Sequence, residues 1–339
     1  MMTVSLCVVA YNEESFLPNL LKDLSNQTYP HELTEIVLID GCSTDKTREI
    51  MDDFKKSNVS FMTVKVLDNP KKIQAAGWNV AINNAIGDVI IRIDAHTHIP
   101  AEFTEKNMEL QESGEYVTGG VRPCVIEEPT AWKNTLLEVE NSLFGSSIAI
   151  SRHGKEKQYV KSMFHAAYRR EVFEKVGLFN ENLLRTEDNE MHYRIRKSGY
   201  KLCFDPEIVS FQYARSSLKR MIKQKYGNGY WIGLTLGICP GCISIYHLVP
   251  LAFILGIVVT SLLALLDMWQ FSALMWASYG LFTFVSALFT VIKGNGNLYS
   301  ICMPFLFFIL HISYGIGTIK GLMHNVLTIF HRKEDKYEN

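Results

Sequence analysis

Four short polar clusters interrupt otherwise apolar runs, and each carries residue types able to do chemistry. In Ala10-Tyr-Asn-Glu-Glu14, an aromatic ring can stack on a flat base, and Glu13 can accept hydrogen bonds from ribose hydroxyls. The same Asn-Glu pair also reads as an ordinary helix cap. In Ile39-Asp-Gly-Cys-Ser-Thr-Asp45, Asp40 can accept from a pyrimidine N–H, whereas Asp45 falls in the first helical turn, where a carboxylate suits the macrodipole. In Ile93-Asp-Ala-His96, a carboxylate and an imidazole stand two residues apart, and on an extended strand end they project to one side. They are candidate ligands for a divalent cation, with His98 as a third. A mixed oxygen–imidazole set suits Mn2+ better than Mg2+, which prefers oxygen. Such a cation would neutralise charge building on a departing diphosphate. In Arg185-Thr-Glu-Asp-Asn189, two adjacent acids open a helix. The helix dipole alone accounts for acids there. One of them can also act as general base for a hydroxyl, worth about 10²–10⁴-fold in rate. Spacing does not say which.

The elements that must position these clusters are legible as alternating patterns. Residues 3–10, 35–40, 62–67 and 89–94 are β-rich apolar runs, as expected for strands covered on both faces. Helical stripes follow the first three: Phe16, Leu17, Leu20, Leu21 and Leu24; then Ile50, Met51 and Phe54, capped by Ser43 or Thr44; then Ile73, Ala76, Gly77, Val80 and Ala81. Repeated β-then-α units predict an α/β fold, a mainly parallel sheet with helices on both faces. Ligands on such sheets collect beyond the C-terminal strand ends. The polar clusters fall there. Past residue 116 the alternation becomes irregular, with strands expected at 116–121 and 164–169 and helices at 130–144 and 187–198.

Composition splits the 339 residues into a charged part and an apolar tail. Net charge is −1, so no polybasic surface points to nucleic acid. Residues 240–320 are nearly uncharged and offer three spans, 243–266, 269–292 and 298–319. Each exceeds the ~20 residues needed to cross a bilayer. A charge at mid-span costs about 2.5–3.5 kcal/mol, but Asp267 and Lys293 sit between spans. Lys219, Arg220, Lys223 and Lys225 precede the first span and place the head in the cytoplasm. Three spans then put Arg332 and Lys333 outside, against the same rule, unless 315–330 lies along the interface. The apolar run at 4–10 is short and lacks a basic leader, so it reads as a strand and not as an export signal. Seven scattered cysteines, with Cys239-Pro-Gly-Cys242 the sole CxxC, suit a reducing compartment without disulfides. The expected organisation is a cytosolic domain over 1–230, a membrane domain over 231–330 and a polar tail over 331–339, in a multi-pass plasma-membrane protein.

Val8-Val-Ala-Tyr-Asn-Glu13, Ile39-Asp-Gly-Cys-Ser-Thr-Asp-Lys-Thr47, Arg92-Ile-Asp-Ala-His96 and Thr186-Glu-Asp188, in this order, resemble glycosyltransferase family 2 over residues 2–230. The flavour is that of bacterial membrane-anchored exopolysaccharide transferases of the succinoglycan-biosynthesis kind. The resemblance implies a GT-A fold, an inverting mechanism, a nucleotide-sugar donor (usually UDP-linked) and Mn2+ or Mg2+. It implies that Ala10, Tyr11, Glu13 and Asp40 hold the donor nucleoside, that Asp94 and His96 occupy the metal-motif positions, and that Asp188 is the base. Glu187 and His165, in segments like those lining the family's acceptor side, join as supporting residues. Two departures stand out. His96 replaces the second acid of the metal motif. Gln224-Lys-Tyr-Gly-Asn-Gly-Tyr-Trp231 stands where processive synthases carry Gln-x-x-Arg-Trp. Gln224, Tyr226 and Trp231 are thus acceptor-side candidates, although an interfacial aromatic belt explains the rings equally well. The missing motif favours single-sugar addition. The implied partners are the donor, a lipid-linked saccharide acceptor, the bilayer and other polysaccharide-assembly proteins. The rival readings are a polyprenyl-phosphate sugar synthase, a processive synthase, and a non-catalytic scaffold or sugar-nucleotide sensor.

Overall fold

The computed structural model describes residues 1–339 except 58–59, 127, 143, 146–151, 153, 215–216 and 335–339, and it describes backbone alone over 328–334. The end of the expected 130–144 helix at 143 and the tail over 335–339 therefore lie outside the described residues. The chain divides into two compact units, Met1–Cys124 with Ile150–Tyr213 and Val125–Ala149 with Ala214–Asn339.

The first unit is built on strands β1 (Val4–Ala10), β2 (Thr34–Asp40), β3 (Thr63–Asp68), β4 (Val89–Asp94), β5 (Thr97–His98), β6 (Val117–Val121), β7 (Cys124–Val125), β8 (Gln158–Val160), β9 (Ala167–Arg169), β10 (Leu202–Val209) and β11 (Phe211–Tyr213). Eight of them form one sheet in the order β3-β2-β1-β4-β9-β6-β10-β8. The first four are mutually parallel. β9 runs antiparallel between β4 and β6, and β8 runs antiparallel to β10. Alternation along the strands feeds two cores. Leu6, Val8, Ile36 and Leu38 face α1 (Leu17–Ser25), α2 (Thr47–Ser57) and α4 (Phe103–Glu112). Cys7, Val37 and Ile39 face α3 (Gln74–Asn84), α6 (Arg170–Val176) and α7 (Glu187–Lys197). Register puts Ala10 beside Asp40 and Val9 beside Asp94, so three strand ends form one rim.

Two local expectations are corrected, and one strand is added. Neither Ser43 nor Thr44 caps α2: Asp45 Oδ1 accepts the Thr47 N–H at 3.0 Å and starts the helix. The strand expected from 164 begins only at Ala167, because His165 sits at φ 46°, where a chain cannot stay extended. β10 went unread because Asp205-Pro206-Glu207 interrupts its apolar run, and the pairing with β6 shifts register there.

The second unit contains α5 (Ala131–Asn141), α8 (Leu218–Ile238), α9 (Val249–Ala264), α10 (Trp269–Ile292) and α11 (Met303–Glu334). Leu136 and Val139 of α5, Met221 of α8, Ala287 of α10, and Met303, Leu306, Phe307 and Leu310 of α11 share one core. Beside it, Lys225 Nζ and Glu140 Oε2 form a buried ion pair at 2.9 Å. Three stretches are long and apolar enough to cross a membrane: Ile245–Ala264, Trp269–Ile292 and Leu298–Leu327. No break occurs at 319, since α11 runs on to Glu334.

The pairing of α8 with α11 depends on small residues. A Cβ at Gly229 would lie 1.9 Å from the Tyr314 carbonyl oxygen, and one at Gly233 would lie 2.4 Å from that of Thr318. Conversely, Cβ atoms at Gly317 and Gly321 would meet the carbonyl oxygens of Tyr226 and Tyr230 at 2.2 and 2.1 Å. Both backbones approach too closely for any side chain. Gly229→Ala should therefore destabilise the protein by about 1–3 kcal/mol. Gly280→Ala should be silent, because nothing lies within 4 Å of that position. Thermal unfolding of the detergent-solubilised chain checks both: equal melting temperatures for the two variants would refute the packing argument.

Candidate active site

The first two polar clusters lace two loops together. Asn12 N–H donates to Ser43 Oγ at 3.0 Å, and Asn12 Oδ1 accepts the Thr44 N–H at 2.8 Å. Glu13 N–H donates to Thr47 Oγ1 at 2.8 Å, and Glu14 Oε2 accepts the Lys46 N–H at 3.0 Å. Asn12 and Cys42 adopt left-handed φ values of 55° and 58°, which the cross-bonds sustain. Gly41 lets the second loop close on the first, its N–H donating to Ala10 O at 2.8 Å. The lacing leaves the Tyr11 ring exposed and the Asp40 carboxylate buried, where it accepts the Ser43 N–H at 3.1 Å. The side chain of Glu13 turns to the third cluster, with Oε1 3.1 Å from His96 Nδ1.

Asp94 ends β4 in a nest of donors. His165 Nε2 lies 3.2 Å from Oδ2, Arg122 Nη1 lies 3.5 Å from the same oxygen, and Gln74 Nε2 donates to Oδ1 at 3.3 Å. Burial by itself would raise the Asp94 pKa. The hydrogen bond and charge of His165, with Arg92 and His96, outweigh it and hold the carboxyl well below the usual range. On its other side, His165 Nδ1 lies 2.8 Å from Ser210 Oγ. Arg122 is stacked on Phe164, with 3.4 Å from guanidinium carbon to ring centroid. Burial draws its pKa down to about 10, so it remains a cation at neutral pH.

The fourth cluster opens α7 as expected, and both acids are buried. Glu187 Oε1 faces Arg92 Nη2 at 3.4 Å. Arg92 in turn lies over the Trp78 ring at 4.7 Å and the Phe179 ring at 5.4 Å. Asp188 Oδ1 accepts the Asn189 N–H at 2.8 Å. The segment leading into α7 is pinned from α3: Asn79 Nδ2 donates to Phe179 O, and Phe179 N–H donates to Asn79 Oδ1, each at 2.9 Å. Arg194 clasps it from the other end, donating to the carbonyls of Val176 and Leu178 while pairing with Glu190. Arg92 stands on β4 two residues before Asp94 and pairs with Glu187, so the third and fourth clusters adjoin through it.

Comparison with known proteins adds the family. The profile described as glycosyl transferase family 2 matches residues 5–177. The chain belongs to glycosyl transferase family 2. It is a glycosyltransferase, and its fold is GT-A. It is 29% identical to a dolichyl N-acetyl-alpha-D-glucosaminyl phosphate 3-beta-D-2,3-diacetamido-2,3-dideoxy-beta-D-glucuronosyltransferase of Methanococcus voltae, over 94% of this chain and 97% of that one. It is 31% identical to the succinoglycan biosynthesis protein ExoA of Rhizobium meliloti, over 67% of this chain and 68% of that one. In structure it is similar to the mannosyltransferase PcManGT from Pyrobaculum calidifontis in complex with GDP-Man and Mn2+. That match has a TM-score of 0.63 over 94% of this chain and 87% of the other; at 17% identity it speaks for the fold alone.

Of the transferase's sequence-derived candidates, Ala10, Tyr11, Glu13, Asp40, Asp94, His96, His165, Glu187 and Asp188 lie in the first unit. Two readings are corrected. Asp94 and His96 do not share one extended strand end, because β4 stops at Asp94 and a turn follows. His98 is drawn away to Asp23 of α1, with Nδ1 2.7 Å from Oδ2. Among the described residues, no three His, Cys, Asp or Glu side chains gather as for a metal ion. Gln224, Tyr226 and Trp231 lie half-buried on α8 in the second unit, where Trp231 meets Tyr230 edge-on at 5.8 Å. Sequence reasoning missed Arg92, Arg122 and Asn79. A lone cation inside the apolar run Val-Ile-Ile-Arg-Ile was a usable signal for Arg92; the other two offered none.

Burial, and then the Asp188 charge, lift the Glu187 pKa from an ordinary 4.5 to about 7, with Arg92 opposing. The folded state then holds this proton more tightly than the unfolded chain. Its contribution to stability is full below pH 4.5 and is lost as pH rises through about 7. Glu187→Gln should flatten that fall. Chemical denaturation at pH 5 and pH 8 reads it out, and an undiminished fall in the variant would contradict the assignment.

Proposed function

We propose that this glycosyltransferase moves a sugar from a nucleotide-diphosphate donor, UDP-linked, onto a lipid-linked saccharide at the cytoplasmic face of the plasma membrane, with inversion at the anomeric carbon. The observation that carries the reading is the meeting of two buried acids at the start of α7 with Asp94 at the end of β4, around Arg92 and Arg122. Asp188 is the base. Glu187 is engaged by Arg92, whereas Asp188 is positioned by its neighbour's N–H, and burial raises its pKa toward that of a useful proton acceptor. Asp188 takes the proton from an acceptor hydroxyl as the oxygen attacks the anomeric carbon. The bond from that carbon to the diphosphate oxygen breaks on the opposite face, so an α-linked donor yields a β linkage. Tyr11 stacks on the nucleobase, and Glu13 and Asp40 bind the rest of the nucleoside.

Asp94 and His96 fit a divalent cation as a partial set. Asp94, held ionised, and His96, with an imidazole nitrogen, would hold the ion. Mn2+ or Mg2+ bound there supplies charge neutralisation for the leaving diphosphate. Arg122, beside Asp94, supplies a fixed cation to the same end. The lipid-linked acceptor is supported by the dolichyl-phosphate-linked sugar in the name of the Methanococcus voltae relative and by the apolar helices of the second unit. Exposed Lys219, Arg220 and Lys223 ahead of those helices support the cytoplasmic placement. Lys225 does not contribute, being buried against Glu140.

Asp188→Asn should keep donor affinity, measured by calorimetry, while lowering transfer at least 10²-fold. Full transfer by that variant, with loss in Glu187→Gln, would move the base to Glu187. Chelation should suppress transfer across a panel of UDP-, GDP- and dTDP-sugars, and Mn2+ should restore it. Turnover unaffected by chelator would remove the metal from the mechanism.

A further inference from the structure

We infer that α8 and α11 form an amphipathic pair lying at the lipid surface, and that only α9 and α10 cross the bilayer. Length and apolarity make Leu298–Leu327 as good a span as the other two. Its neighbour argues otherwise. Gly229 meets Tyr314, Gly233 meets Thr318 and Gly237 meets Asn325, so the contacts ascend together and the two helices run parallel in contact. Met221 packs in one cluster with Met303, Leu306, Phe307 and Leu310, which extends the pairing to the start of α11. The exposed cations Lys219, Arg220 and Lys223 therefore stand level with the first turns of α11. If those turns lay in hydrocarbon, the three charges would lie there too, the costliest placement for any side chain. Past that level, α11 has only a short apolar stretch before exposed Lys320, well under the ~20 residues a span needs.

The other two helices behave differently. No side chain of α9 is buried, and Leu255, Val258, Val259 and Leu262 are each at least half exposed. Leu281, Phe282 and Phe284 of α10 are similarly open, and neither helix carries a charge. Asp267 marks the turn between them, at φ 61°. The α8–α11 pair instead combines exposed Phe305, Ile316, Met323, Val326 and Leu327 with basic side chains. That is the composition of a helix seated among headgroups, with its cations toward anionic lipid. Two crossings return the chain to the side of α8. Arg332 and Lys333 then obey the charge rule that three crossings violate.

Transfer activity is not the readout, so the topology is tested apart from the catalytic reading. An epitope is placed on the full chain either after Asn339 or between Asp267 and Met268, and the substitution Lys223→Cys puts a thiol on the α8 side. Impermeant antibody and maleimide are then applied to right-side-out and inside-out membrane vesicles. The C-terminal epitope and the thiol introduced on α8 should be reached from one face and the inserted epitope from the other, each with at least tenfold preference. A C-terminal epitope sharing the face of the inserted one, opposite the α8 thiol, would establish three crossings and overturn the proposal. Both epitopes on the α8 side would overturn it too, by showing that the hairpin does not cross.

Discussion

Buried charge has to be compensated, and the first unit is organised around that constraint. Glu187 and Asp188 are buried and Asp94 is partly so, where an uncompensated carboxylate would be driven toward protonation. His165, with Arg92 and His96, keeps Asp94 ionised against the cost of burial, while Arg92 opposes the rise at Glu187. The balance is unequal because the positions differ. Asp94 faces two cationic or donor groups at short range, whereas Glu187 stands beside the Asp188 charge and faces one guanidinium, at 3.4 Å. One carboxylate is thus fixed as an anion and another is left near the proton-accepting range, from the same residue chemistry.

Holding those groups requires rigidity from elements that do no chemistry. Arg92 cannot shift sideways because Trp78 and Phe179 cover it, and Phe179 cannot leave because Asn79 bonds both its backbone groups. On the opposite side of the rim, Asn12, Glu14, Ser43, Thr44, Asp45 and Thr47 use their polar atoms to join two loops. The polar atoms of these two clusters therefore also serve as scaffolding. It sustains two left-handed residues and presents Tyr11 to solvent.

The second unit solves a different problem, that of bringing helices together where apolar contact alone offers little discrimination. Glycines on α8 and α11 let two backbones touch, and the Lys225–Glu140 pair adds a polar link to α5 in the same region. Buried ion pairs contribute modest net stability but penalise wrong arrangements, since a mispaired partner leaves a charge unbalanced. Asn297 reinforces the start of α11: its side chain accepts from the Tyr299 N–H and from Thr135 Oγ1, and donates to Ala131 O.

Strand and helix identity through Asp94, the three apolar stretches, and the acids at the start of α7 were readable in the sequence, because each follows from local periodicity or strand-end chemistry. The turn that separates Asp94 from His96 and the capture of His98 by Asp23 were not, because each is decided by the way the assembled chain packs. The pairing of Asp94 with Arg122 and His165, and of Glu187 with Arg92, likewise exists only once β4, β6, β9 and α7 are assembled. Sequence by itself marked the acids at the strand and helix ends. Tertiary structure decided which of those charges are compensated, since compensation acts over a few ångströms of space and has no period along the chain.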